Sequence, residues 1–212
     1  MQKLLVATGN SHKTDEIRAI LGSGYIVSDL TSHPDLPEVE ETGKTFHENA
    51  ALKAVEISNQ VDGLVLSDDS GLEVDALGGE PGVYSARYAR MGDEEDNRRF
   101  YIDNISGRAG DDAANNAKLL WALGDEKNRT ARFRCVMVLA QAGKLLASFD
   151  GAVEGHMLDK HQGKGGFGYD PLFVPDGYDE TFAELSTEIK NQHSHRARAM
   201  EKVVVWLADH RA

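Results

Sequence analysis

The sequence predicts an α/β fold, and three observations carry that prediction. Lys3 to Ala7 is a short apolar run, followed by the turn T-G-N-S-H-K at 8–13 and a stretch with Ile17, Ile20 and Leu21 on one helical face. A second apolar run, Gly63 to Leu66, stops abruptly at Ser67-Asp68-Asp69-Ser70-Gly71. Arg132 to Ala140 and Lys144 to Glu154 flank Ala142-Gly143 and read as a hairpin. Ligands of open α/β sheets bind at the carboxyl ends of the strands, which makes the run into Asp68 and Asp69 the stretch the chain is organised around. A buried strand has no reason to finish in two negative charges unless a cation meets it there. Neighbours in extended chain point to opposite faces, and spacing leaves open which of the two would face a metal. The competing reading is an Asp-Asp-Ser-Gly turn closing a hairpin.

Each element follows from its residues. The first strand, its glycine turn and the helix after it would present backbone N–H groups and a positive helix end to an anion, with Lys13 adding a point charge. Asn10 or Ser11 can cap that helix. A second strand is expected around Tyr25 to Ser28. Thr45-Phe46-His47-Glu48 is a capping-box sequence opening a helix to about Asn59. Gly43-Lys44-Thr45 looks like the tail of a P-loop, but Glu38, Glu40 and Glu41 crowd the preceding stretch and would repel a phosphate. Those carboxylates suit metal ligation with the Asp68–Asp69 pair instead. Leu72 to Ala76 alternates like a half-buried strand. Residues 94 to 105 and 111 to 123 read as helices, the second apolar at Ala117, Leu120 and Trp121, and both are taken as packing. Gly163-Lys164-Gly165-Gly166-Phe167-Gly168 matches a dinucleotide fingerprint formally, but Tyr169-Asp170-Pro171 follows where a helix is required. Its glycines and Phe167 suit a flat ring stacked close to backbone. Ser194 is a good N-cap for a last helix, apolar at Ala197, Met200, Val203, Val204 and Leu207. His195 and Arg196 then fall in its first turn, where a cation is unfavourable without an anion nearby, and such broken rules are expected at functional sites.

Composition narrows the function class. The 212 residues form one domain, or one with two lobes. A net charge of −12 argues against a nucleic-acid surface, though not against a nucleotide that arrives with a divalent metal. No apolar run reaches transmembrane length, and the first residues reach Thr8-Gly9 too soon for a signal peptide. The single cysteine, Cys135, fits a reducing cytosol and reads as a packed thiol in a strand. A soluble, cytoplasmic chain is expected.

Five motifs occur in register: T-G-N-x-x-K at 8–13, S-D-D-S-G-L at 67–72, P-G-V-Y-S-A-R-Y at 81–88, G-G-F-G-Y-D-P at 165–171 and S-H-R at 194–196. With them the chain closely resembles the inosine triphosphate pyrophosphatase family, from first strand to last helix. The resemblance implies an elongated two-lobed α/β fold with a long, mixed, bent sheet flanked by helices, a central cleft, and a homodimer. It implies hydrolysis of inosine, deoxyinosine or xanthosine triphosphate to the monophosphate and pyrophosphate, with Mg²⁺ required and Mn²⁺ suited to the same ligands. By matching motif, Thr8, Gly9, Asn10, Ser11, His12 and Lys13 would hold the phosphates, with Lys53 as a further phosphate contact. Glu41 and Asp69 would bind the metal, Glu38 and Glu40 being competitors to Glu41. Asp69 would also be the base for the attacking water, and Ser70 would touch substrate. Phe167, Gly168, Tyr169 and Asp170 would hold and stack the base, while Lys190, His195 and Arg196 would read the purine edge or nearby phosphates. His193 departs from the apolar residue expected before S-H-R, and Gly151 to Lys164 carries no landmark.

Overall fold

The computed structural model describes residues 2–92 and 108–210, so the helix expected over 94–105 lies outside the described residues. Among the described residues, six strands form one mixed sheet in the order β2-β1-β3-β4-β5-β6. They are β1 (Gln2–Val6), β2 (Tyr25–Asp29), β3 (Leu64–Val74), β4 (Thr130–Gln141), β5 (Lys144–Met157) and β6 (Phe173–Pro175). The helices are α1 (Ser11–Leu21), α2 (Phe46–Ser58), α3 (Arg108–Leu123), α4 (Thr187–His193) and α5 (His195–Asp209). The expected α/β class with a mixed sheet flanked by helices is therefore met. β1 pairs parallel to both β2 and β3, with Leu4 opposite Leu64 and Val6 opposite Leu66, whereas β6 runs antiparallel to β5.

One expectation is overturned at the centre of the chain. Ser67 to Gly71 neither ends a strand nor forms a turn, because β3 runs unbroken from Leu64 to Val74. Buried ion pairs and hydrogen bonds engage Ser67, Asp68 and Ser70, so the strand can carry them through its middle.

The chain divides into two compact units. The first comprises Met1–Ser70, Cys135–Ala152 and Asn191–Ala212. Strand alternation sorts its core. Leu4, Val6, Leu64 and Leu66 pack with Ile17 of α1 and with Met200, Val203 and Leu207 of α5, while Leu5, Ala7 and Val65 pack with Ile57 of α2. The other face of α5 is open, and Val204, expected inside, is 39% exposed. Asn10 caps α1 by accepting from His12 N–H. The capping box of α2 is complete, with Glu48 N–H donating to Thr45 Oγ1 and Thr45 N–H to Glu48 Oε2.

The second unit comprises Gly71–Arg134 and Val153–Lys190. Its core gathers Phe133, Phe173 and Phe182, the first two edge-on at 4.8 Å between centroids, with Leu72, Val74, Leu119, Leu123 and Tyr169 around them. Helix α3 buries Ala114, Asn115, Asn116, Leu119 and Leu123. The expected apolar face was thus set wrongly, since Ala117 is exposed and Trp121 is 59% exposed. Two asparagines on the inner face hid its period.

Candidate active site

Period-two alternation along β3 decides where the two aspartates go. Asp68, in phase with Leu64 and Leu66, meets α1 and α5, where its carboxylate pairs with Lys13 and, at 3.3 Å, with Arg196 Nε. Cys135 Sγ–H also donates to Asp68 Oδ2 at 3.2 Å. Asp69, in phase with Val65, is on the side of α2, with its Oδ1 3.8 Å from Lys53 Nζ. The same Lys53 ammonium donates to Glu41 Oε1 at 2.7 Å and to the Asp68 carbonyl at 2.9 Å. Ser67 Oγ donates to the Ala50 carbonyl and ties β3 to α2. Spacing left the choice between the aspartates open. The geometry groups Asp69 with Glu41 and gives Asp68 two cations of its own.

Electrostatics separate the neighbours further. Burial opposes ionisation of Asp68, but Lys13 and Arg196 outweigh it and hold the carboxyl well below the usual range. Asp69 is mainly governed by burial, which pushes its carboxyl up to about 6, against Lys53 and Lys13 and with help from Glu41 and Asp68. Its Oδ2 is buried without a hydrogen-bond partner among the described residues. A buried carboxylate oxygen of this kind is an unmet demand for a donor or a cation. Burial lowers the proton affinity of Lys53, yet Asp69 and Glu41 more than reverse that. Burial and then the Asp68 charge push the Cys135 thiol well up, which suits the packed thiol expected.

The segment before α2 is fixed by a glycine. Gly43 N–H donates to Asn49 Oδ1 at 2.8 Å, and a Cβ at Gly43 would lie 2.6 Å from both that oxygen and Glu48 Cβ. Close approach without a side chain lets the loop carry Glu41 to Lys53. Glu38 and Glu40 are exposed, whereas Glu41 is half-buried. Among the described residues, no three His, Cys, Asp or Glu side chains are grouped to enclose an ion.

Arg196 settles the helix-dipole conflict differently from expectation. The anion that a cation at this N-terminus needs is supplied by the chain itself: besides Asp68, Arg196 pairs with Glu16, and its Nη2 donates to Ser70 Oγ at 3.0 Å. Its side chain is 1% exposed. His195 is buried in the same first turn, and Ser194 caps it by accepting from Ala197 N–H. At the other end of the expected phosphate loop, Thr8 Oγ1 accepts from Asn10 N–H at 3.1 Å, while Gly9, Ser11 and His12 are exposed.

The remaining expected residues are in the second unit. Phe167 N–H donates to Asp170 Oδ2 at 2.9 Å, and Lys190 Nζ reaches the same oxygen at 2.6 Å while standing 4.6 Å from the centroid of the Phe167 ring. Gly166 has a φ of +72°, and a Cβ there would lie 2.1 Å from Asp170 Oδ2, so only glycine fits. Tyr169 turns its ring into the core and donates from its hydroxyl to the Ser85 carbonyl. Lys190 accordingly sits with the Phe167 loop, and Arg196 with Asp68. Missed at the sequence level were Glu16, which lies one turn after Lys13 on α1, and the polar run Asp112 to Asn116. The repeated Asp-Asp and Asn-Asn pairs around two alanines were the available signal.

The chain matches the Ham1 family over residues 4–206. A dITP/XTP pyrophosphatase of Shouchella clausii (strain KSM-K16) is 45% identical to it over 202 residues, covering 94% of this chain and 93% of the relative. The solved Ham1 protein of Staphylococcus aureus superposes with a TM-score of 0.80 at 38% identity, covering 98% of this chain and 99% of that one. A HAM1 protein from Coxiella burnetii gives 0.81 at 35% identity, covering 99% and 100%.

Proposed function

Because the chain belongs to the Ham1 family, we propose that it hydrolyses non-standard purine nucleoside triphosphates, among them those of inosine, deoxyinosine and xanthosine, to the monophosphate and pyrophosphate. The observation that carries the reading is Asp69: a buried carboxylate pushed up to about 6, one oxygen bare, beside Lys53 and Glu41. A buried carboxylate with a bare oxygen beside an ammonium is suited to hold a cation or to accept the proton of an attacking water. The Shouchella clausii relative is named a dITP/XTP pyrophosphatase, and its likeness over 94% of this chain supports the substrate class.

Glu41 and Asp69 would hold Mg²⁺, or Mn²⁺. Two hard oxygen donors with one carboxylate oxygen bare fit an ion that takes one or two carboxylates and fills its shell with phosphate and water. Bound there, the metal would neutralise phosphate charge and orient the polyphosphate. Lys13 and Lys53 would stabilise charge on the phosphates, and their own pairing with carboxylates keeps them in place. Phe167 would stack the base, with the backbone of Phe167 to Asp170 and Lys190 reading its edge. A buried donor meeting the 6-carbonyl of hypoxanthine or xanthine is left unpaired by the 6-amino group of adenine, which is the strong form of discrimination. A homodimer and a cytoplasmic location belong to the same family-based proposal. No helix among the described residues is long and apolar enough to cross a membrane.

The test is pyrophosphate release with Mg²⁺ from inosine, xanthosine, adenosine and guanosine triphosphates at equal concentration. Strong release from the first two and little from the others is expected. Comparable rates for all four would discard the base pocket, and tight nucleotide binding without release would make the protein a nucleotide sensor.

Gly43→Ala tests the metal assignment. Its Cβ would displace the Asn49 and Glu48 contacts that carry Glu41, so the Mg²⁺ needed for half-maximal activity should rise about tenfold or more. A metal titration with unchanged midpoint would remove Glu41 from the site.

A further inference from the structure

Helix α3 contributes to no chemical step described above, yet its polar face holds the loop proposed to take the base. Asp112 and Asn116 stand four residues apart and therefore share a face. Asp112 Oδ2 accepts from Gly168 N–H at 2.9 Å, and Asn116 Nδ2 donates to the Gly168 carbonyl at 2.9 Å. The two peptide planes that meet at Gly168 are thus both tied to one rigid helix, with Gly168 held at a φ of +60° between them. Phe167 comes immediately before. Its N–H is fixed on Asp170, and its ring lies beside the ammonium of Lys190. Asn115, just before Asn116 on the helix, performs the same task for a second segment, accepting from Ala89 N–H at 2.7 Å and donating to the Ala86 carbonyl at 3.2 Å. Tyr169 then joins the two held segments through the Ser85 carbonyl. Helices are rigid where loops are not.

From this arrangement we infer that Asp112 and Asn116 are positioning residues that set base selectivity. The inference rests on the proposal that Phe167 to Asp170 take the purine. Discrimination between a 6-carbonyl and a 6-amino group depends on where peptide donors stand, and displacements of about 1 Å are enough to change rates strongly. Asp112 and Asn116 act through Gly168 and need no contact with the nucleotide to do so. Losing Asn116 removes the side-chain hold on the Gly168 carbonyl, and losing Asp112 leaves the preceding peptide plane tied only through its carbonyl to Asp170 N–H at 3.3 Å.

The experiment measures kcat/KM for inosine and adenosine triphosphates with the full-length chain and Asp112→Ala, Asn116→Ala, Asp112→Asn and Phe167→Ala. General loss of folded protein lowers both constants together, so their ratio reports positioning alone. The inosine-to-adenosine ratio should fall about fivefold to tenfold in the two alanine variants. Asp112→Asn, which keeps an acceptor for Gly168 N–H, should restore most of it. A ratio unchanged in both alanine variants overturns the inference. If Phe167→Ala alone moves the ratio, the helix clamp falls and the base site stands. If no variant moves it, the base site falls as well.

Discussion

Replacing Asp69 by asparagine is expected to lower kcat about 10²–10⁴-fold while the melting temperature holds or rises. The carboxyl in the fold takes up its proton near pH 6, against an ordinary value of 3.8. A raised acid means that ionisation opposes folding. The penalty is absent below the unfolded value, grows as pH rises toward 6, and is complete above it, where a shift of this size amounts to about 3 kcal/mol. Asparagine matches the shape of the side chain and carries no charge at any pH. Lys53 keeps Glu41 at 2.7 Å, against 3.8 Å for the oxygen of Asp69, so the substitution abandons no cation. Thermal melts at pH 8 without divalent metal, run beside the pyrophosphate assay, check both halves. Full turnover would remove Asp69 from the chemistry. A large drop in melting temperature would show that the carboxylate serves the fold, contrary to its bare oxygen and raised proton affinity.

The fold and the site were legible to different depths for identifiable reasons. Helix boundaries carried local signals, and Asn10, Thr45, Glu48 and Ser194 each cap where the sequence indicates. The opposite facing of Asp68 and Asp69 also followed from strand periodicity. What the sequence could not show was that β3 continues through them, because Ser-Asp-Asp-Ser-Gly is turn composition and the cations that permit it come from elsewhere in the chain. Lys13, Lys53 and Arg196 are each far from the aspartates in sequence, and burial turns them into fixed partners. The exposed Trp121 misled for the opposite reason. The inner face of α3 is marked by Asn115 and Asn116, whose side chains serve backbone groups of two neighbouring segments, and hydrophobic periodicity is blind to that use. Arg196 shows the value of a broken rule. A cation at a helix N-terminus flagged an anion, and the anions are Asp68 and Glu16.

Asp68→Asn should then give the reverse of its neighbour's phenotype, a loss of stability first and of activity as a consequence. Asp68 is fully buried and its charge answers both Lys13 and Arg196. Removing one partner of a buried pair leaves uncompensated charge in low dielectric, at a cost of about 3–5 kcal/mol. In a chain of this length that corresponds to a fall in melting temperature of roughly 10 °C. Arg196 retains Glu16 and Ser70, which keeps the loss toward the lower end, while Lys13 loses the carboxylate that holds it. The ionised Asp68 is favoured throughout the physiological range, its carboxyl being held well below the usual value, so the stability difference from asparagine persists from pH 5 to pH 8 and closes only on acidification. Added salt will not rescue it, because ions screen buried pairs poorly. A double-mutant cycle with Arg196→Met isolates the pair: the combined loss should be clearly smaller than the sum of the single losses, since each change removes the same interaction. Additive losses would show that Asp68 and Arg196 are neighbours without being partners, and a melting temperature unchanged in Asp68→Asn would mean that the buried ion network contributes nothing to holding β3 against α1 and α5.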